Sequence, residues 1–266
     1  MDHTGVQAAT TPVLTIEGAR ATIRLNRPAH LNRIEPDDIL ALDEMLDRIE
    51  ADRDIRVMVL TGTGRAFSSG YHIGDLATRQ SSPAREEEID GERPFERLTN
   101  KLENLRVPTI CRLNGSVYGG ATDLALCCDF RIGVAGMEMF MPAARLGLHY
   151  YRSGMVRFVT RLGLGAAKRL FLTARTLSGA DLLAIGYLDE LAAADQLDER
   201  VAILAALLVA HSPSAVQGMK RSLNEIARGS ADPAVLRQRY RESLRSDDFR
   251  EGVAAFREKR SPKFTR

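Results

Sequence analysis

The sequence predicts an α/β protein with a helical C-terminal third, and three observations carry that prediction. Short apolar runs at Val57 to Leu60, Thr109 to Leu113 and Phe130 to Val134 alternate with segments of helical periodicity, and such alternation requires crossover connections between layered strands. From Gly163 onward the patterning is mostly helical. The composition, 44% hydrophobic and 27% charged over 266 residues, is that of a globular chain able to bury a full core without disulfide staples.

Taken in order, Val13 to Ile16, the turn Glu17-Gly18 and Ala21 to Leu25 read as a hairpin leading into a strand. After Pro36 a helix is expected: Ile39, Leu42, Leu46 and Ile49 fall on one face, and Asp37 and Asp38 sit in the first turn, where the helix dipole favours acids. The three apolar runs are strands, the first ending at Thr61-Gly62-Thr63-Gly64 and the second at Asn114-Gly115. The segment Thr78 to Pro94, with Ser81, Ser82, Pro83 and Glu86-Glu87-Glu88, reads as a mobile surface loop or a short solvated helix. Ser178 caps a helix over Gly179 to Ile185 that stops at Gly186. After Ser212-Pro213, Val235, Tyr240, Leu244, Val253 and Phe256 supply the apolar faces of two more helices. A boundary near residue 200 divides the chain into a sheet-rich body, 1–200, and a helical region, 201–266. No repeat or low-complexity segment is present.

Several function classes fall away. With 37 Lys+Arg against 35 Asp+Glu the net charge is +2, which gives no support to nucleic-acid binding, since phosphate neutralisation needs clustered cations. Cys111, Cys127 and Cys128 have no metal-ligand spacing and are expected to be buried, reduced thiols, so neither a metal nor a disulfide framework is expected. The polar stretch Met1 to Pro12 has no signal pattern. The apolar run Val201 to Ala210 is about half of the ~20 residues a bilayer needs and is expected to be a buried helix. A cytoplasmic protein without membrane contact is the expectation.

Two small-residue loops could carry chemistry. One runs Gly64-Arg65-Ala66-Phe67-Ser68-Ser69-Gly70-Tyr71-His72, and the other Asn114-Gly115-Ser116-Val117-Tyr118-Gly119-Gly120-Ala121. Each follows a strand, at the carboxyl end where α/β sheets present ligand sites. Glycine there lets backbone N–H groups approach a bound oxygen, and the second loop opens a helix whose N-terminus adds positive partial charge. Two such loops converging would supply a pair of donors for a developing oxyanion. The alternative is that Gly119-Gly120 only admits close helix packing. Phosphate-loop and dinucleotide motifs are absent.

These two loops, with Leu124-Ala-Leu-Cys-Cys-Asp129, Leu25-Asn26-Arg27-Pro28, Leu31-Asn32, Leu172-Thr-Ala-Arg175, Ala184-Ile-Gly-Tyr-Leu188 and Ala255-Phe-Arg-Glu-Lys-Arg260, make the chain resemble the enoyl-CoA hydratase/isomerase (crotonase) family from about Val13 to the C-terminus. The resemblance implies a spiral of ββα turns with a C-terminal helical trimerisation region. It implies CoA thioesters as substrates, with CoA part of the substrate and no separate cofactor, and a homotrimer or dimer of trimers. It places two backbone amides, at Tyr71 and Gly120, around the thioester oxygen of an enolate. The CoA contacts it implies fall at Arg27, His30, Leu31, Ala66, Ser68, Gly70 and Ile73, with Phe256 and Lys259 from a neighbouring subunit.

The sequence departs from the family in its acids. Family hydratases hold one water between two glutamates. The first position is Asp123 here, and the second, after Met141-Pro142, is Ala143. The following loop brings His149, Tyr150, Tyr151 and Arg152, and either His149 or Tyr150 could donate a proton at the α-carbon. His72 either faces the site or points away. The reading placed first is reversible hydration of a 2-enoyl-CoA with Asp123 as acid/base. Its rivals are decarboxylation of a malonyl-type CoA, which needs only the oxyanion hole and a proton donor, and a catalytically silent acyl-CoA-binding homologue.

Overall fold

The computed structural model describes residues 11–71 and 93–264. Strands β1 (Val13–Glu17) and β2 (Arg20–Leu25) form the expected hairpin, Val13 pairing with Arg24 and Glu17 with Arg20. Helix α1 (Pro36–Ala51) starts with proline at its first turn and a capping box in which Glu35 and Asp38 exchange side-chain and backbone bonds, and it buries Ile39, Leu42, Leu46 and Ile49 as its spacing requires.

Three ββα turns then follow. The pairs are β3 (Val57–Gly62) with β4 (Ala66–Ser68), β5 (Thr109–Leu113) with β6 (Ser116–Tyr118), and β7 (Phe130–Val134) with β8 (Glu138–Phe140). The first member of each pair joins a six-stranded sheet, β1-β2-β3-β5-β7-β10, parallel from β2 onward. The second joins a four-stranded sheet, β4-β6-β8-β9, completed by β9 (Leu177–Ser178) running antiparallel to β8. β10 (Glu190–Ala192) closes the larger sheet against β7. Helix α2 (Pro94–Asn104) precedes β5, and α3 (Ala121–Leu126) follows the double glycine with every residue buried. Next come α4 (Arg152–Leu162), α5 (Leu164–Thr173) and α6 (Gly179–Ala184). Ser178 caps α6 as expected, accepting the Asp181 amide at 3.2 Å.

The strands of the larger sheet are covered on both faces, which is why they read as continuous apolar runs rather than alternating ones. Met58, Leu60, Cys111 and Leu113 enter the main core with α1 and α2, while Val57, Val59, Ile110 and Ile132 face α7 (Leu197–Ala210). Leu197, Val201 and Ala205 of α7 fill that second layer, Leu and Val each contributing roughly 1.5–3 kcal/mol on full burial. The expected boundary at 200/201 therefore falls inside a helix that covers the sheet. The expectation of a buried run at Val201 to Ala210 is corrected in one respect: Ile203 and Leu207 are 53% and 54% exposed, because they lie off the stripe of α7 that packs on the sheet among the described residues. Among the described residues no single helix is long and apolar enough to cross a membrane.

The chain ends in α8 (Pro213–Ala227), α9 (Pro233–Ser243) and α10 (Asp247–Glu258). Lys220 of α8 ties this region to the body, reaching Asp129 at 2.7 Å and the Val107 carbonyl at 2.8 Å. All three cysteines are free and buried, and burial pushes the Cys111 and Cys127 thiols up.

Candidate active site

The two glycine loops contain the short strands β4 and β6, which pair in parallel and draw the loop ends together. Gly70 (φ +92°) shows how close the approach is. A Cβ there would lie 2.6 Å from the Tyr118 carbonyl oxygen, 3.2 Å from the Gly120 nitrogen and 3.3 Å from the Gly119 Cα, so only glycine fits. A Cβ on Gly120 would lie 3.7 Å from Tyr71 Cβ and 3.3 Å from the Phe95 ring, so residues 71 and 120 are neighbours beneath α2. The Gly119 amide donates to the Phe140 carbonyl at 2.9 Å, whereas the Gly120 amide donates to nothing among the described residues.

Two side-chain amides, the buried Asn32 and the half-buried Asn114, pin the first loop. Asn32 donates to the carbonyls of Thr63 (2.8 Å) and Ala66 (2.9 Å), and Asn114 donates to those of Gly64 (2.8 Å) and Ala66 (3.1 Å). Both belong to sequence motifs, yet only the fold reveals them as struts. Ser68 is fully buried and binds the Asn32 carbonyl at 2.7 Å, and Ala66 is buried beside it. His30 and Leu31 lie against the same loop, their carbonyls accepting from the Ser69 hydroxyl (3.2 Å) and amide (2.8 Å). Arg27 pairs with Asp38 at 3.1 Å. Phe256, 86% exposed, and Lys259 stand at the end of α10. Ile73 and His72, and the loop expected from Thr78 up to residue 92, lie outside the described residues.

A cavity of about 1230 Å³ opens at the junction of the two loops. Of the expected site residues, Tyr71, Gly120, His149 and Tyr150 line it, together with Ala143, Phe95, Tyr118, Phe140 and Tyr151. Arg27, His30, Leu31, Ala66, Ser68, Gly70, Phe256 and Lys259 do not. The walls are largely aromatic: Tyr71 and Phe95 are 5.8 Å apart, Phe95 meets Tyr151 edge-on at 6.4 Å, and Tyr150 stacks on Tyr151 at 4.4 Å. His149 is exposed, with Nδ1 2.9 Å from the Tyr150 carbonyl, an arrangement that leaves Nε2 for other partners.

Asp123, expected as the acid–base group, does not line this cavity. It is wholly buried in α3, with both oxygens engaged by Arg157 of α4, Nε to Oδ1 at 3.0 Å and Nη2 to Oδ2 at 2.7 Å. Arg157 spends all five donors: the others reach Thr99 (3.0 Å), Asn100 (2.8 Å) and Glu103 (3.3 Å). Burial works against this guanidinium's charge, but the neighbouring carboxylates outweigh it, and its pKa lies above the ordinary value. The Tyr151 hydroxyl also donates to Asp123 Oδ2, and the Tyr150 hydroxyl reaches Tyr151 at 3.4 Å. Burial, then the Asp123 charge, pushes both phenols up, so both remain protonated donors at ordinary pH. An arginine inside the apolar stretch Met155-Val156-Arg157-Phe158-Val159 is the signal that could have revealed this network. Among the described residues no group of three or more His, Cys, Asp or Glu could hold a metal ion.

Paired ββα turns, a glycine junction and an apolar cavity beneath it define a protein of the ββα-spiral class. The chain belongs to the enoyl-CoA hydratase/isomerase family, whose model matches residues 15–266. It is 29% identical over 251 residues to the short-chain-enoyl-CoA hydratase of Clostridium acetobutylicum, covering 93% of this chain and 95% of that one. It is 31% identical over 252 residues to the 1,2-epoxyphenylacetyl-CoA isomerase of Escherichia coli, covering 94% and 96%. Its fold is similar to that of an enoyl-CoA hydratase/carnithine racemase from Magnetospirillum magneticum, with a TM-score of 0.88 at 28% identity over 97% of this chain and 96% of that one.

Proposed function

We propose that this enzyme acts on an acyl-CoA through a thioester enolate held by the backbone amides of Tyr71 and Gly120, and that its reaction is the reversible hydration of a 2-enoyl-CoA. The observation that carries the reading is the contact between the two glycine loops at the head of the cavity, where Gly70 closes to within a Cβ's reach of the Gly120 nitrogen. A thioester α-carbanion is too unstable in neutral water unless its charge moves to oxygen, and two fixed N–H donors stabilise that oxygen without reorganising. The aromatic and apolar walls accept the acyl chain.

Within this reading Asp123 is a positioning residue. Its oxygens are taken by Arg157 and Tyr151, and it directs the Tyr151 proton away from the cavity. The Tyr151 oxygen then offers a lone pair to the water that adds at the β-carbon. CoA is part of the substrate, its contacts beginning at Arg27, His30 and Leu31 beside the Ser69 loop. A second reading, decarboxylation of a malonyl-type CoA, draws on one observation: Ala143 lines the cavity where family hydratases keep a carboxylate, and Tyr150 and His149 line it too, either of which would supply the proton in that reading.

The purified protein is offered crotonyl-CoA and, separately, methylmalonyl-CoA. Loss of enoyl absorbance without carbon dioxide release is the expected result. Carbon dioxide release without enoyl loss overturns hydration in favour of decarboxylation. Tight CoA binding with no turnover of either overturns both.

A further inference from the structure

Ala143 leaves a gap that hydration has to fill: some group must take a proton from water and return one to the α-carbon. Asp123 is sealed behind the wall, and Tyr150 and Tyr151 are donors whose phenols burial has pushed up. Among the described residues the cavity wall carries one carboxylate, Glu96 in the first turn of α2. Nothing in the sequence singled it out. It is half-buried and forms no ion pair among the described residues. Its Oε1 accepts the Ser153 hydroxyl at 2.5 Å and the Ser153 amide at 3.4 Å. Its Oε2 has no partner among the described residues. The preceding residue, Phe95, packs on Gly120 at the glycine junction, so the turn carrying Glu96 is fixed against the oxyanion site. One oxygen anchored and the other unclaimed is the arrangement a proton-transfer group needs: the carboxyl plane is held, and a basic site remains for substrate.

We propose that Glu96 is the catalytic acid–base residue of this site, working from α2 in place of the carboxylate absent at residue 143. This deepens the hydration reading and rests on it. In the forward step a water proton passes to Glu96, the water oxygen bonds to the β-carbon, and the C=C electron pair moves through the α-carbon to the thioester oxygen at Tyr71 and Gly120. The enolate then takes the proton from the Glu96 carboxylic acid at the α-carbon. The carbonyl re-forms, Glu96 is again a carboxylate, and one water has been added.

The test compares Glu96→Gln with Glu96→Asp. Glutamine keeps the acceptor for Ser153 and removes proton transfer; aspartate keeps the carboxylate and shortens the reach to Ser153. A catalytic Glu96 predicts that Gln lowers kcat for crotonyl-CoA by about 10²–10⁴-fold with KM little changed, and that Asp retains more activity than Gln. A merely structural Glu96 reverses that order, and a Gln variant as active as the parent, or more active than Asp, overturns the proposal. Deuterium uptake at the α-carbon of butyryl-CoA in heavy water is measured in parallel. Uptake kept by Asp and lost by Gln supports Glu96 even if the parent protein leaves crotonyl-CoA untouched, a result that removes hydration alone. A parent protein inert in both assays overturns both.

Discussion

Replacing Gly120 by proline deletes one proposed oxyanion donor and little else. The backbone at Gly120 has φ −58°, inside the range proline fixes, and the preceding Gly119 (φ +55°) has glycine's freedom to precede it. No hydrogen bond among the described residues is lost, because the Gly120 amide has no acceptor there. The added Cβ meets the Phe95 ring at 3.3 Å, a contact tight enough to move that half-buried ring by a few tenths of an ångström. Gly120→Ala adds the same Cβ and keeps the N–H, so the ratio of the two variants reads the loss of the N–H together with the ring methylene that takes its place. Removing one oxyanion donor costs about 2.7–4 kcal/mol in the barrier, or roughly 10²–10³ in kcat. The assay is crotonyl-CoA turnover by enoyl absorbance, with thermal unfolding to confirm that both variants fold. Proline within about threefold of alanine, on a scale where tenfold is about 1.4 kcal/mol, refutes a role for this amide.

Three further outcomes are expected. Arg157→Leu strips Asp123 of both guanidinium bonds and leaves it buried, which costs about 3–5 kcal/mol of stability by urea unfolding; a loss typical of exposed pairs, below about 1 kcal/mol, contradicts the network. In the helical region the Arg239 guanidinium holds the Glu225 carboxyl down to about 2 from an ordinary 4.5. A depressed folded-state pKa stabilises above the unfolded value, and that contribution is lost as pH falls from about 4.5 to about 2. Arg239→Ala therefore moves acid unfolding, followed by circular dichroism, to higher pH, and an unmoved midpoint contradicts the pairing. Finally, Ile203, Leu207, Leu223, Ile226 and Tyr240 are each more than half exposed on the C-terminal helices, and large apolar side chains left in water there favour association. Sedimentation should give three or six times the 29.3 kDa chain mass, reduced by Leu223→Glu; a monomeric parent protein rules out the trimer.

The parts legible in the sequence are those whose burial is total or whose chemistry is local. β3, β5 and β7 stood out as apolar runs because helices cover both faces of their sheet, and α6 because Ser178 and Asp181 cap it within three residues. The smaller sheet was hidden: β4, β6 and β8 are three residues each and β9 two, too short for alternation to register. Both glycine loops read as turns in the sequence, although each contains one of these strands. Within the site, Tyr71, Gly120, Tyr150 and His149 all line one cavity. The fate of Asp123 could not be read locally, since Tyr151 and Arg157 reach it from 28 and 34 positions away. Glu96 carried no signal at all. A single glutamate in the first turn of an amphipathic helix is indistinguishable from a solvated one until α4 closes over it and Ser153 takes hold of Oε1.

The account turns on where the thioester oxygen sits, and a crystal structure of the protein with acetoacetyl-CoA measures that directly. The prediction is one thioester oxygen about 2.7–3.1 Å from the backbone nitrogens of both Tyr71 and Gly120, with the acyl chain in the cavity beside Glu96 and Tyr151. A thioester oxygen bound elsewhere, or either nitrogen beyond hydrogen-bond reach of it, contradicts the enolate chemistry proposed for this site.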